Sequence, residues 1–164
     1  MNKVGIIMGS KSDLEVAQAT IDVLKEFGIE YEVIVSSAHR TPERTSEWSR
    51  TAHERGLVAI IALAGAAAHL AGVIASETNV PVIAVPIAAT SMNGIDALYA
   101  MVQMPGGIPV ATMAIGKAGA KNAGIFAAQI IGRSDKSMYE KLGAYRVAMK
   151  EKVYKDNDAV QDMI

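Results

Sequence analysis

The chain has 164 residues, 51% of them apolar and 20% charged, with a formal net charge of -1. That is one domain's worth of chain with enough apolar residues for a sizeable core, and its charge balance argues against a general nucleic-acid binder, which shows a basic face. There is no cysteine, which excludes disulfides and thiolate metal sites and makes the cytoplasm the default compartment.

Residues 3–8, KVGIIM, form a short apolar run too short for a signal peptide and are expected to be a first strand. GSKSD follows as a turn, and Leu14, Ala17, Ile21 and Leu24 then recur at helical spacing until Gly28 stops the helix. Residues 30–36, EYEVIVS, alternate and are rich in β-formers, predicting a second strand. Thr41 followed by Pro42 predicts a helix start, with Gly56 as its end. The run 58–64, VAIIALA, is apolar without alternation, as a strand covered on both faces should be. A helix from about Ala67 to Thr78 and a strand over 81–86 follow, then a helix over 94–103 and a fifth strand over 109–115. Two helices close the chain, Lys117 to Ile131 and Asp135 to about Lys155, leaving 155–164 as a polar, loose or docking tail.

Strand and helix alternate throughout, so the expectation is an α/β fold, a three-layer sandwich around a five-stranded parallel sheet with an extra C-terminal helix. One domain over 1–164 is expected, since no linker, repeat or low-complexity segment interrupts it. No uninterrupted apolar run reaches the length of a membrane span. Aromatic residues make up only 5%, and the apolar surplus is largely Ala, Met and Ile. Such small residues suit close helix packing, either between subunits or within an alanine-rich core; composition leaves both open.

In a fold of this kind ligands bind outside the carboxyl ends of the strands. Every unusual turn lies at such an end: Gly9-Ser10-Lys11-Ser12-Asp13, Ser37-Ala38-His39-Arg40, and Ala64 through His69. The first loop offers serine hydroxyls and backbone N–H groups to a phosphate. It lacks the P-loop and G-x-G-x-x-G patterns, so neither ATP nor a dinucleotide is indicated. Its plainer reading is a cap, Ser12 or Asp13 closing the first helix, and both readings can hold together. His39 beside the fixed cation Arg40 supplies a base and a planar fork suited to phosphate; a surface turn whose histidine bonds to backbone is the alternative. His69 stands at a helix start, where a structural role competes with a catalytic one, and His53 is expected to be an exposed or interface residue of the second helix. The three histidines lack ligand spacing and no carboxylates join them, so no metal site is expected. No G-x-S-x-G elbow supports a serine hydrolase. The residues thus point to binding of a small phosphorylated metabolite, with His39 a candidate for proton transfer.

GSKSD, SAHRTP, AHLAGVIAS and VQMPGGIPVATMAIGKAGAKNAGIFAAQI, in unbroken order from about residue 3 to 150, resemble the PurE family of purine biosynthesis, class I. The resemblance implies a flavodoxin-like fold, an octamer, and isomerisation of N5-carboxyaminoimidazole ribonucleotide to 4-carboxy-5-aminoimidazole ribonucleotide. It implies His39 as the catalytic histidine, Ser10, Asp13 and Arg40 as nucleotide ligands, and Ser12, Ser37, Gly65 and His69 lining the same pocket. No metal or organic cofactor is implied, and the partner is a small-molecule nucleotide rather than nucleic acid or membrane. The third loop departs from the usual family pattern: Leu63 and Ala66 replace glycines, Ala71 replaces a proline, and Ala84 stands where many members have glycine. Alanine is costly where φ is positive, so at Ala66 either φ is negative or the loop has shifted. Two rivals remain at this point: a direct aminoimidazole ribonucleotide carboxylase on the same residues, and a non-catalytic nucleotide-binding module.

Overall fold

The computed structural model describes residues 2–164. The elements run β1 (Lys3–Met8), α1 (Leu14–Phe27), β2 (Glu30–Val35), α2 (Pro42–Arg50), β3 (Leu57–Gly65), α3 (Leu70–Glu77), β4 (Val82–Ile87), α4 (Ile95–Val102), β5 (Ala111–Thr112), α5 (Lys117–Gly132) and α6 (Lys136–Gln161), with a 3-10 turn at Lys11–Asp13. All strand pairs are parallel, in the order β2-β1-β3-β4-β5. This is the flavodoxin-like order, in which the chain leaves β1 first to one side and then to the other.

The strands are apolar on both faces because both faces are covered. Val4, Ile6, Ile61, Leu63, Ile83 and Val85 meet α1 and α5 on one side. Ile7, Ile60, Ala62, Val82 and Ala84 meet α3 and α4 on the other. Each fully buried Ile or Leu contributes about 1.5–3 kcal/mol of transfer free energy. The small residues of α5 serve this core: Ala120, Ala123, Ala127 and Ala128 are fully buried, and a Cβ on Gly124 would lie 2.9 Å from Val23 of α1. The close approach also lets the buried Thr20 hydroxyl donate to the Ala120 carbonyl at 2.7 Å. Much of the alanine surplus is therefore packing within the chain.

Several boundaries differ from the sequence expectations. Gly28 does stop α1, in the left-handed conformation with φ +70. But α2 ends at Arg50 rather than Gly56. Near its end Ser49 and Thr51 hydroxyls bond back to the carbonyls of Thr45 and Glu47, which competes with helix continuation. His53 accordingly lies in the turn after α2, exposed, and not in a helix. Helix α3 starts at Leu70, not Ala67. Strand β5 shrinks from seven expected residues to two. It is an edge strand, paired on one side only, and Pro109 before it has no N–H to give. Helix α6 continues to Gln161, where a loose tail was expected from Lys155. Residues 144–161 contain neither Gly nor Pro, so nothing local halts it; the expected loose or docking tail is instead exposed helix over most of its length.

Candidate active site

Because β2 and β3 flank β1, the loops after these three strands rise side by side at one end of the sheet. Backbone bonds tie them together there: Gly9 donates to the Leu63 carbonyl at 3.3 Å, and Ser36 donates to the Met8 carbonyl at 2.9 Å. The place is the switch point of the topology, where open α/β sheets form a crevice.

The first loop is a capping box. The Ser10 hydroxyl accepts from the Ser12 backbone N–H and hydroxyl, and the Asp13 carboxylate accepts from the Ser10 N–H at 3.0 Å. Ser10 is therefore the capping residue of the turn, while Asp13, at the start of α1, makes no side-chain cap to that helix. Asp13 is 7% exposed. Burial pushes its carboxyl above the usual carboxylate value, opposed by hydrogen bonds from the backbone at Ser10 and Gly9 and from the Ser12 side chain.

The second loop is held by hydroxyls, of which Ser37 and Thr41 were expected in other roles and Ser36 and Thr45 in none. Ser36, 2% exposed, pairs with Thr41 at 3.0 Å and Thr45 at 2.9 Å. The Thr41 hydroxyl does not cap α2. It accepts from the Ser37 N–H at 2.9 Å and donates to the Ser37 carbonyl at 3.1 Å, closing the turn. Hydroxyl residues at 36, 37, 41 and 45, leading from a strand into a helix, were the available signal. His39 and Arg40 project from this clamp. Arg40 reaches over to the first loop and donates from Nη2 to the Gly9 carbonyl at 3.2 Å.

The third loop runs from Gly65 to His69. Ala66 and Ala68 have φ of +54 and +40, so alanine occupies the left-handed region at Ala66 and the expected alternative of a negative φ there does not hold. Each such residue costs about 1–2 kcal/mol. Gly65 lies so close to the next loop that a Cβ would fall 2.5 Å from the Ala89 Cβ. The loop delivers His69 to the second loop: His69 Nδ1 lies 3.0 Å from His39 Nε2, the rings edge-on at 81°.

All eight expected residues, Ser10, Ser12, Asp13, Ser37, His39, Arg40, Gly65 and His69, line one crevice of about 380 Å³. Ala89, from the loop after β4, lines it too; its placement beside β3 could be read only with the strand order known. His53 lies elsewhere, in a larger cavity of about 1200 Å³ with Arg50 and Glu77 near the amino ends of β3 and β4. Among the described residues no three His, Cys, Asp or Glu side chains cluster to hold a metal ion. Among the described residues no helix is long and apolar enough to cross a membrane. The crevice thus offers a fixed cation, several hydroxyls, a buried carboxyl, an alanine-lined wall and a bonded pair of imidazoles. That set suits a compact, phosphorylated, hydroxyl-bearing ligand on which a proton is moved.

Known proteins share much of this chain's sequence and its fold. The profile of the AIR carboxylase family matches residues 3–152. The N5-carboxyaminoimidazole ribonucleotide mutase of Thermotoga maritima is 52% identical over 153 residues, 93% of this chain and 88% of its own. That of Bacillus subtilis is 51% identical over 155 residues, 94% of this chain and 96% of its own. Among solved structures, the crystal structure of Treponema denticola PurE superposes with a TM-score of 0.86 at 31% identity, covering 96% of this chain and 98% of that one. With a profile matched over nearly its whole length and half its residues shared with these relatives, this chain belongs to the AIR carboxylase family.

Proposed function

We propose that the chain is an N5-carboxyaminoimidazole ribonucleotide mutase of purine biosynthesis, converting that nucleotide to 4-carboxy-5-aminoimidazole ribonucleotide. The observation that carries this reading is the meeting of His39, Arg40 and the Ser10–Asp13 loop in one crevice, in a chain about half identical to relatives of that name. In the proposed roles, Arg40 and the serines take the phosphate, Asp13 the ribose hydroxyls, and His39 the reacting proton. The carboxyl group leaves the exocyclic nitrogen as carbon dioxide, and that nitrogen takes up a proton from solvent. Ring C4 then attacks the carbon dioxide and gives its own proton to His39, which returns it to solvent, so the sum is an isomerisation. Carbon dioxide carries no charge and little to bond to, so the site must hold it by shape; the alanine-rich wall supports that.

The test is conversion of the N-carboxy isomer with no bicarbonate added, with labelled bicarbonate entering the product slowly. Rapid, complete entry of label, with aminoimidazole ribonucleotide and carbon dioxide as the better substrates, makes the chain a direct carboxylase instead. Tight nucleotide binding without any interconversion makes it a binding module.

A symmetric homo-oligomer, an octamer by the family resemblance, belongs to this proposal. Its physical support lies in apolar side chains that the single chain leaves exposed: Ile95, Tyr99 and Val102 on α4, and Tyr139, Val147, Val153 and Tyr154 on α6. Beyond Leu142 almost all of α6 is exposed, whereas helices in proteins draw most of their stability from a packed face. Sedimentation as a stable monomer would remove the oligomer.

A further inference from the structure

His39 and His69 belong to loops that follow β2 and β3, and β1 lies between those strands. At about 4.8 Å per strand spacing the loops start roughly 10 Å apart, yet their side chains close to 3.0 Å. From this geometry we infer that His69 is a positioning residue that fixes which nitrogen of His39 carries the proton. The inference rests on the mutase reading of the site.

A neutral imidazole has one N–H and one bare nitrogen. A hydrogen bond between two of them needs a donor on one ring and an acceptor on the other, so the two tautomers are tied. With Nε2 of His39 donating to Nδ1 of His69, His39 keeps an unprotonated Nδ1, the nitrogen left for substrate. Reversal of the bond puts a hydrogen on His39 Nδ1 and removes the base. A reactive histidine is usually oriented by a carboxylate or a backbone carbonyl; here a second imidazole stands in that place.

Both rings are presented from fixed backbone. The His69 carbonyl accepts from Val73 N–H at 3.0 Å, and Ala68 N–H donates to Gly65 at 3.1 Å, while the neighbours Ala68 and Leu70 are buried. His39 stands on the loop closed by the Ser37 and Thr41 bonds. The 3.0 Å contact is thus held from both sides.

Asparagine sets its amide roughly where Nδ1 of histidine lies, and glutamine sets its amide nearer Nε2. His69→Gln is expected to lower kcat about 10- to 100-fold, the scale for losing a partner that orients a reactive group, with KM within about twofold. His69→Asn is expected to recover most of kcat. A second measurement needs no turnover: 15N spectra of histidine-labelled, sedimented protein should show His39 protonated on Nε2 and coupled to His69 Nδ1. Equal losses for both variants, a change confined to KM, or spectra without the coupled pair would overturn the inference. Failure of the mutase reading would look different: the parent protein would then take label rapidly from bicarbonate, or interconvert nothing, while its spectra still showed the coupled pair.

Discussion

Replacing Gly65 by alanine would place a methyl carbon 2.5 Å from the Ala89 Cβ and 3.1 Å from the Ile87 carbonyl oxygen. Carbon atoms rest at about 3.5–4.0 Å, so the loops after β3 and β4 must part by roughly 1 Å. They cannot swing away freely, because Gly65 is paired with Ile87 at the end of the ladder. Overpacking of this kind costs about 1–3 kcal/mol, and a chain of this size loses about 2–4 °C of Tm per kcal/mol. The expected fall in Tm is therefore about 2–12 °C, measured by thermal unfolding at fixed protein concentration so that any assembly contributes equally. His69 stands four residues further on, and a 1 Å misplacement of a reacting group can cost about 100-fold in rate. Turnover should fall with Tm, by up to that factor. A variant with the Tm and kcat of the parent would refute the reasoning, showing that the third loop is not held by this approach.

His39→Asn should keep the fold and nucleotide binding while losing about 100-fold or more in turnover, the scale of a general acid/base; near-normal turnover would remove His39 from the mechanism. Arg40→Ala should chiefly raise KM, since a phosphate is held alike in ground and transition states, and an unchanged KM would contradict that role. Ala66→Gly relieves a left-handed alanine worth about 1–2 kcal/mol at a chain-entropy cost of about 0.5–1 kcal/mol. A rise of up to about 1.5 kcal/mol in a urea unfolding series is expected, and a loss would show that the Ala66 methyl makes a contact outweighing its strain. Burial pushes Glu32 up, but the Lys3 hydrogen bond and the Arg55 charge outweigh it and hold the carboxyl below its ordinary 4.5. The unfolded chain then binds the proton first, so this stability is full above about pH 4.5 and lost as pH falls through the folded value. Asp13 acts in the opposite sense, being raised, so the comparison is with Glu32→Gln, which should flatten the acid limb; equal slopes would remove the Glu32 contribution.

Much of the layout was legible because it is written in local chemistry. Gly28, Pro42 and the unbroken apolar run at 58–64 mark boundaries and burial that any context would respect. The site loops were legible for a related reason: polar and basic residues in strand-to-helix turns have no packing role that would account for them. What stayed hidden depends on distance through space. The 3.0 Å contact of His39 with His69 joins residues 30 apart on strands that do not touch, and only the β2-β1-β3 order brings them together. Ala89 entered the crevice by the same route. The positive φ at Ala66 is imposed by loop closure against the preference of alanine itself. The shortening of β5 follows from its edge position, which alternation along a sequence does not reveal.

The contact between α1 and α5 has a consequence for the order in which the chain can be completed. Thr20 bonds to a carbonyl 100 residues further on, and Ile21, Leu24 and Phe27 share one cluster with Ala120, Ala123 and Ala127. At about 5–20 residues per second of synthesis, α1 waits on the order of 5–20 s for the helix that covers it. During that interval β1, α1 and β2 exist with an uncovered apolar flank, and closing so long a segment is slow for entropic reasons. The same small residues that let α5 settle within touching distance of α1 thus leave the growing polypeptide most vulnerable to misassociation until its last third has emerged.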